Sequence, residues 1–279
     1  MPLPPVRVPP RRSRDPPKGT APMVFSKLKA ILGSGIQVDT LLHEKHVVPG
    51  GTLKGEVRIS GAEVDASVES VEIEFTALVE DDSKGEDAAG AVHDYFKTEI
   101  SGKFDLAKGA AHPIPFEVQV PWETPFNNVE ERPLVGGMKL GVSTHLALDQ
   151  ALDKGDLDWL TVEALPVHKA VWEALESLGF AFQETDLELG TIQGATVPFY
   201  QEVEFWATEG EFHGRIRELE VVFVAGEANT DVVFAADNAA ELLAPDLNST
   251  IRFSVPTAST DAVETVKAQL TQLAAQKGV

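Results

Sequence analysis

The chain has no cysteine. That excludes a disulfide framework, a thiolate metal site and a cysteine nucleophile, and it fits a reducing compartment such as the cytoplasm. No apolar run approaches the roughly 18 residues of a membrane span, so stable membrane insertion is not expected. Positive charge is scarce: 23 Lys and Arg stand against 44 Asp and Glu, a formal net charge of −21. Such a surface repels phosphate backbones and anionic lipid headgroups, which disfavours nucleic-acid binding. There is no Gly-x-Gly-x-x-Gly and no phosphate loop ending in Gly-Lys-Ser or Gly-Lys-Thr. What is present is apolar material for a full core. Hydrophobic residues make up 43% of 279, which excludes global disorder and suffices for two sandwich domains or one large domain.

The first 22 residues differ from the rest. They hold eight of the prolines, and Arg7, Arg11, Arg12, Arg14 and Lys18 stand against Asp15 alone. This composition cannot bury a core and reads as disordered. No apolar stretch follows the basic residues, so it is not a signal peptide. A polyproline ligand or basic tail is one reading. The other, favoured because Met23-Val24-Phe25 opens the ordered pattern directly, is a misassigned start with translation beginning at Met23. Without residues 1–22, five basic groups and one acidic group are lost, and −21 becomes −25.

From Phe25 the pattern is organised. Phe25, Leu28, Ile31 and Leu32 mark a short helix that packs against the body of the protein. In Val47–Ile59, a Pro49-Gly50-Gly51 turn feeds a strand. Leu53, Gly55, Val57 and Ile59 face one way, and Lys54, Glu56 and Arg58 face the other. Gly50 and Gly51 are expected to supply positive φ angles, with Pro49 presetting the turn. Alternating strands follow around Val71–Val79, Val92–Phe104, Ile114–Val120 and Leu134–Leu148. An acidic loop, Asp81–Asp87, interrupts them. Pro113 and Pro115 demote their strand to an edge or a strand start. Short strands separated by turns spell a β-sandwich.

The pattern changes near Asp149–Asp158, and a domain boundary is placed there. The second half opens with a strand around Trp159–Leu165. A helix over residues 166–178 follows, with Pro166 at its start and Gly179 past its end. Val167, Ala170, Val171, Ala174, Leu175 and Leu178 form its buried stripe. Further strands are expected at 180–182, 197–206, 217–224, 232–236 and 251–255. A C-terminal amphipathic helix carries Ala262, Val263, Val266, Leu270 and Leu273, with Asp261 and Glu264 as its capping box. The domain reading is therefore 1–22 extension, 23–152 first sandwich, 153–256 second sandwich with one helix, and 257–279 C-terminal helix.

No constellation reads as a catalytic, cofactor-binding or metal-binding site. His43 and His46 are three apart with Glu44 and Lys45 between, whereas a zincin helix needs four. They read as solvated loop histidines. Asp149, Asp153, Asp156 and Asp158 around Gly155 lack the alternate ligands and closing Glu of a calcium loop, and read as an acidic linker. Ser143 and His145 share a strand face, but nothing around Ser143 makes a nucleophile elbow or an oxyanion hole. His168 and His213 are isolated. Trp159, Trp172 and Trp206, with Phe199, Tyr200 and Phe205, read as core aromatics before a recognition groove. Val203 and Phe205 alternate with Glu202 and Glu204, as in a half-buried strand.

Several segments carry a family resemblance. In the first half these are Met23–Leu28, Gln37-Val38-Asp39-Thr40, the Pro-Gly-Gly hairpin from Val47 to Ile59, and Ile114-Pro115-Phe116. In the second they are Leu157-Asp158-Trp159-Leu160, Ala174–Phe180 and Pro198–Phe205. Together they make the chain resemble the arrestin-like, sporulation-control family first known from Bacillus and widespread in actinobacteria. The resemblance spans about residues 23 to 255, and its specificity lies in the order of the motifs. It implies a mainly β protein: two tandem arrestin-like antiparallel β-sandwich domains with a few short helices. It also implies no catalytic residues, no cofactor, and protein partners that are developmental regulators or cell-division proteins. Fold analogy alone does not fix function. The expected function is a cytoplasmic, non-enzymatic regulator or scaffold in a developmental or stress programme. A membrane-associated arrestin-type adaptor is the alternative, and an unrecognised metal-dependent hydrolase is a third. Sheet edges that can self-pair leave a homo-oligomer open.

Overall fold

A computed structural model describes residues 35–61, 63–79, 91–134, 138–148, 154–237 and 249–276. The helix expected at 25–32, the acidic loop 81–87, and Asp149 and Asp153 lie outside these residues.

The fold is mainly β, as the alternation predicts. Its first part runs β1 (Gln37–Leu42), β2 (His46–Val47), β3 (Thr52–Ser60), β4 (Ala66–Val79), β5 (Ala91–Ser101), β6 (Phe104–Leu106) and β7 (His112–Gln119). A small ribbon of β8 (Asn128–Val129) and β9 (Arg132–Pro133) follows, then β10 (Leu140–Leu148) and β11 (Lys154–Val162). One sheet has the order β1-β3-β7. The sheet facing it has the order β2-β11-β10-β4-β5, with β6 also on β4. Leu53, Val57 and Ile59 of β3 are buried, as are Ile114, Phe116 and Val118 of β7. On the outer face Lys54 pairs with Glu117 at 2.8 Å. Between the sheets the hydroxyls of Thr40 and Thr144 meet at 2.6 Å. Pro113 and Pro115 sit on β7, which ends its sheet, so their missing N–H groups interrupt no ladder.

The Pro-Gly-Gly turn differs from expectation in two respects. Gly50 has φ +76°, but Gly51 does not take the left-handed region. At Gly50 a Cβ would lie 2.3 Å from the Trp122 ring, so close approach adds to the conformational demand. The turn also joins no hairpin. It carries the chain from β2, which pairs in parallel with β11, to β3 in the opposite sheet.

The expected boundary also moves. The strand assigned to the second half is β11, and it pairs antiparallel with β10 from Leu140↔Leu160 to Leu146↔Lys154. Leu160 and Val162 point into the first core, completing a sheet that β10 alone would leave open. Asp156 and Asp158 are therefore strand residues, not linker. Asp156 Oδ2 accepts the Thr40 N–H at 2.9 Å, and Asp158 pairs with Lys45 at 2.6 Å.

The second part is α1 (Pro166–Ser177), a five-stranded antiparallel meander and α2 (Val263–Gln276). The meander runs β12 (Phe180–Leu189), β13 (Phe199–Ala207), β14 (Glu218–Ala225), β15 (Asn229–Ala236) and β16 (Thr250–Pro256). Its inner face is covered by helices. Trp172 of α1 lies 5.0 Å from Phe205 and 4.6 Å from Phe182, centroid to centroid. Val266, Leu270 and Leu273 of α2 are buried. Pro166 opens α1, and Gly179 (φ +92°) ends it, where a Cβ would lie 2.2 Å from the Glu209 carbonyl oxygen. At α2, Asp261 accepts the Val263 N–H at 3.1 Å.

The two parts share one contiguous core. The Gln201 side-chain amide clamps the Phe126 backbone, accepting from its N–H and donating to its C=O, both at 2.9 Å. The Phe126 ring stacks on His168 at 4.7 Å and meets Phe223 at 6.2 Å. Tyr95 meets Phe199 edge-on at 5.3 Å. Two directional hydrogen bonds and interlocked rings fix the relative placement of the parts, as packed interiors do.

Candidate functional site

Two outward sheet faces gather carboxylates. Each brings three potential ligand atoms within 4.8 Å of one another: Glu74, Asp94 and His145 in the first part, and Asp186, Glu188 and Glu202 in the second.

The first patch is built by β4, β5 and β10. Register sets Glu74 opposite both Ser143 and Lys97. Lys97 reaches Glu72 at 2.5 Å and Glu74 at 3.0 Å, and His145 Nε2 lies 3.2 Å from Glu74. Hydrogen bonds that it donates to Glu72 and Glu74 hold the Lys97 ammonium well above the usual lysine range. Burial, then the charge of Glu74, raises Asp94. The patch contains its own cation, so a metal ion would have to displace an ammonium already in place. Ser143 and His145 do share this face, but His145 is engaged by a carboxylate and not by Ser143. No acyl-transfer geometry results.

The second patch is built by β12, β13 and β14. Glu184, Asp186 and Glu188 project from β12, Glu202 and Glu204 from β13, and Glu218 and Glu220 from β14. Together they line one recess. Register places Asp186 opposite Glu202, Glu184 opposite Glu204, and Glu204 opposite Glu220. Like charges directly across a ladder are unfavourable. The arrangement is held from the other face, where Leu187, Val203, Phe205, Leu219 and Val221 are buried. A one-residue slip would turn that apolar set to water. Glu202 and Glu220 are only 7% and 2% exposed. Burial, then the neighbouring carboxylate Glu220, pushes Glu202 far above the ordinary carboxylate range. Glu220 is also raised, by burial first, and its hydrogen bond with Glu202 works against the rise. Both directions oppose ionising the two side chains together. Tyr200 donates to Glu188 at 2.8 Å, and Trp206 Nε1 donates to Glu204.

The other sequence candidates fall apart in space. His43 lies in a bend before β2, while His46 in β2 faces Glu163 at 3.7 Å beside Lys169. His213 bonds the Ala207 carbonyl at 2.9 Å. His168 is buried in the joint between the parts, its Nδ1 accepting the Leu165 N–H at 3.3 Å, and burial lowers it to about 3. The six aromatics make no common groove. Trp172, Phe199 and Phe205 lie on the core face, Tyr200 and Trp206 on the acidic face, and Trp159 in β11 near Lys139. Of the acidic recess, the sequence pattern singles out only Glu202 and Glu204, as the polar side of a half-buried strand. Its signal was the acid-x-acid alternation repeated on three successive strands.

Comparison with known proteins gives a consistent result. The family model Spo0M, described as SpoOM protein, matches residues 25–240. The chain is 31% identical over 220 residues to the "Sporulation-control protein spo0M" of Bacillus subtilis (strain 168), covering 77% of this chain and 81% of that protein. The crystal structure of Spo0M from Bacillus subtilis superposes with a TM-score of 0.71 at 26% identity, over 88% of this chain and 99% of that one.

Proposed function

The chain belongs to the Spo0M family, and on that premise we propose that it is a non-enzymatic regulatory or scaffold protein of the cytoplasm. It acts by gripping protein partners, developmental regulators or cell-division proteins, in a developmental or stress programme. The observation that carries the reading is the sporulation-control relative matched over most of its length.

The sheet edges supply the physical means, because an exposed edge accepts a partner strand. They are not equally open. β7 carries Pro113 and Pro115. β5 has two register shifts along β4 and presents Lys97. β12 has a register shift and three acidic side chains. Prolines, bulges and charges are the devices that blunt an edge. β16 carries Arg252 and ends at Pro256, but its register with β15 runs unbroken from Asn229↔Pro256 to Ala235↔Thr250. Thr257 N–H bonds the Ala228 carbonyl and Ala236 N–H bonds the Ser249 carbonyl, so the backbone N–H groups of Arg252 and Ser254 point away from β15.

The test is affinity capture from the host lysate with the full chain as bait, beside Ser254→Pro. Specific retention of developmental or cell-division proteins, weakened by the proline, is the expected result. A bait that retains nothing specific at mild salt contradicts the regulatory reading. Equal retention by both baits moves the contact away from β16.

A further inference from the structure

The recess on β12, β13 and β14 has a second property, independent of the regulatory reading. Glu202 Oε1 and Glu220 Oε2 are buried and make no hydrogen bond. An unpartnered buried oxygen is costly, and both belong to side chains that line the recess. Among the described residues no Lys, Arg or His lines it. Glu218, which lines it, pairs with the exposed Arg217 at 3.4 Å. The first patch meets the same electrostatic problem with Lys97. Among the described residues, the second is lined by seven carboxylates and Thr185.

We propose that this recess binds a hard divalent cation, Ca2+ in preference to Mg2+, through the carboxylates of Asp186, Glu188 and Glu202, with Glu220 behind them. All-oxygen donors without His or Cys select this class over zinc. Ca2+ holds its oxygens at about 2.3–2.6 Å, so two ligands of one ion are at most about 5 Å apart. The three donor atoms lie within 4.8 Å of one another. Ca2+ also tolerates the irregular, partly hydrated sphere that a sheet face offers, whereas Mg2+ demands a near-ideal octahedron. The ion would partner the Glu202 carboxylate, one of whose oxygens is buried without a hydrogen bond.

Tb3+ is a suitable probe, because Tyr200 and Trp206 lie on the same face and can sensitise its emission. The full chain, stripped with chelator, is titrated with Tb3+ under excitation of the aromatic rings, and Ca2+ and Mg2+ then compete. The expected result is saturable emission, displaced by Ca2+ better than by Mg2+. Affinity should fall by about tenfold or more in Glu202→Gln and in the less buried Asp186→Asn, and should be unchanged in Glu74→Gln. Absence of saturable emission overturns the proposal. Emission lost in Glu74→Gln but kept in Asp186→Asn also overturns it, by assigning the ion to the first patch. Should Glu202→Gln fail to fold, Asp186→Asn alone decides.

Discussion

The two acidic faces of this protein pose one electrostatic problem and meet it differently. On β4, β5 and β10 a lysine from the neighbouring strand is registered opposite Glu74 and neutralises two carboxylates at once. On β12, β13 and β14 Asp186 faces Glu202, and Glu204 faces both Glu184 and Glu220, so carboxylate meets carboxylate, and burial with the charge of Glu220 raises Glu202. The contrast teaches that acidic alternation along a strand does not by itself make a solvated face. Cross-strand register decides whether the charges are paired, protonated or left for an ion.

Acid treatment should produce the largest effect and must be separated out first. His168 titrates at about 3 in the folded chain against 6.5 when unfolded. As pH falls from 6.5 towards 3, the unfolded chain takes up a proton that the folded chain refuses, so stability drops. The slope approaches about 1.4 kcal/mol per pH unit. Denaturant midpoints between pH 7 and 4.5 should show this slope in the wild type and lose it in His168→Phe.

With the acid arm removed, the patches can be compared directly. Lys97→Met turns the first patch into the second kind, leaving the 7%-exposed Glu74 with His145 as its remaining basic contact. Urea unfolding at pH 8 should show a loss of about 2 kcal/mol. A change near zero would mean that Lys97 is incidental.

Glu202→Gln acts in the opposite sense. The folded-state value of Glu202 is raised above the ordinary 4.5, so its contribution is fully present below pH 4.5 and is lost as pH rises through the raised value. A glutamine cannot ionise and still donates to Glu220. The variant should match the chelator-treated wild type near pH 4.5 and exceed it by about 1 kcal/mol at pH 8. The smallest effect sets the baseline. Lys54→Ala breaks an exposed pair with Glu117 and should change stability by less than about 0.5 kcal/mol.

Much of the fold was legible from local chemistry. The alternation of β3, the edge prolines of β7, and the Pro166 and Gly179 punctuation of α1 each act within a few residues, and each appears where expected. What escaped depended on distant partners. β11 has the same alternation whether it closes the first sheet or opens the second. Only its pairing with β10 decides. The recess escaped for the same reason. Glu202-x-Glu204 alone describes a strand with a wet face, and only the stacking of three such strands in register buries Glu202 and Glu220.

The most direct test of the asymmetry is the thermal midpoint of the chelator-treated chain with and without Ca2+, at pH 6 and pH 8. Ca2+ should raise the midpoint at both, and more at pH 8, because there it competes with fewer protons. A midpoint indifferent to Ca2+ at both values would contradict the claim that the carboxylates of the second face take up an ion where the first face uses Lys97.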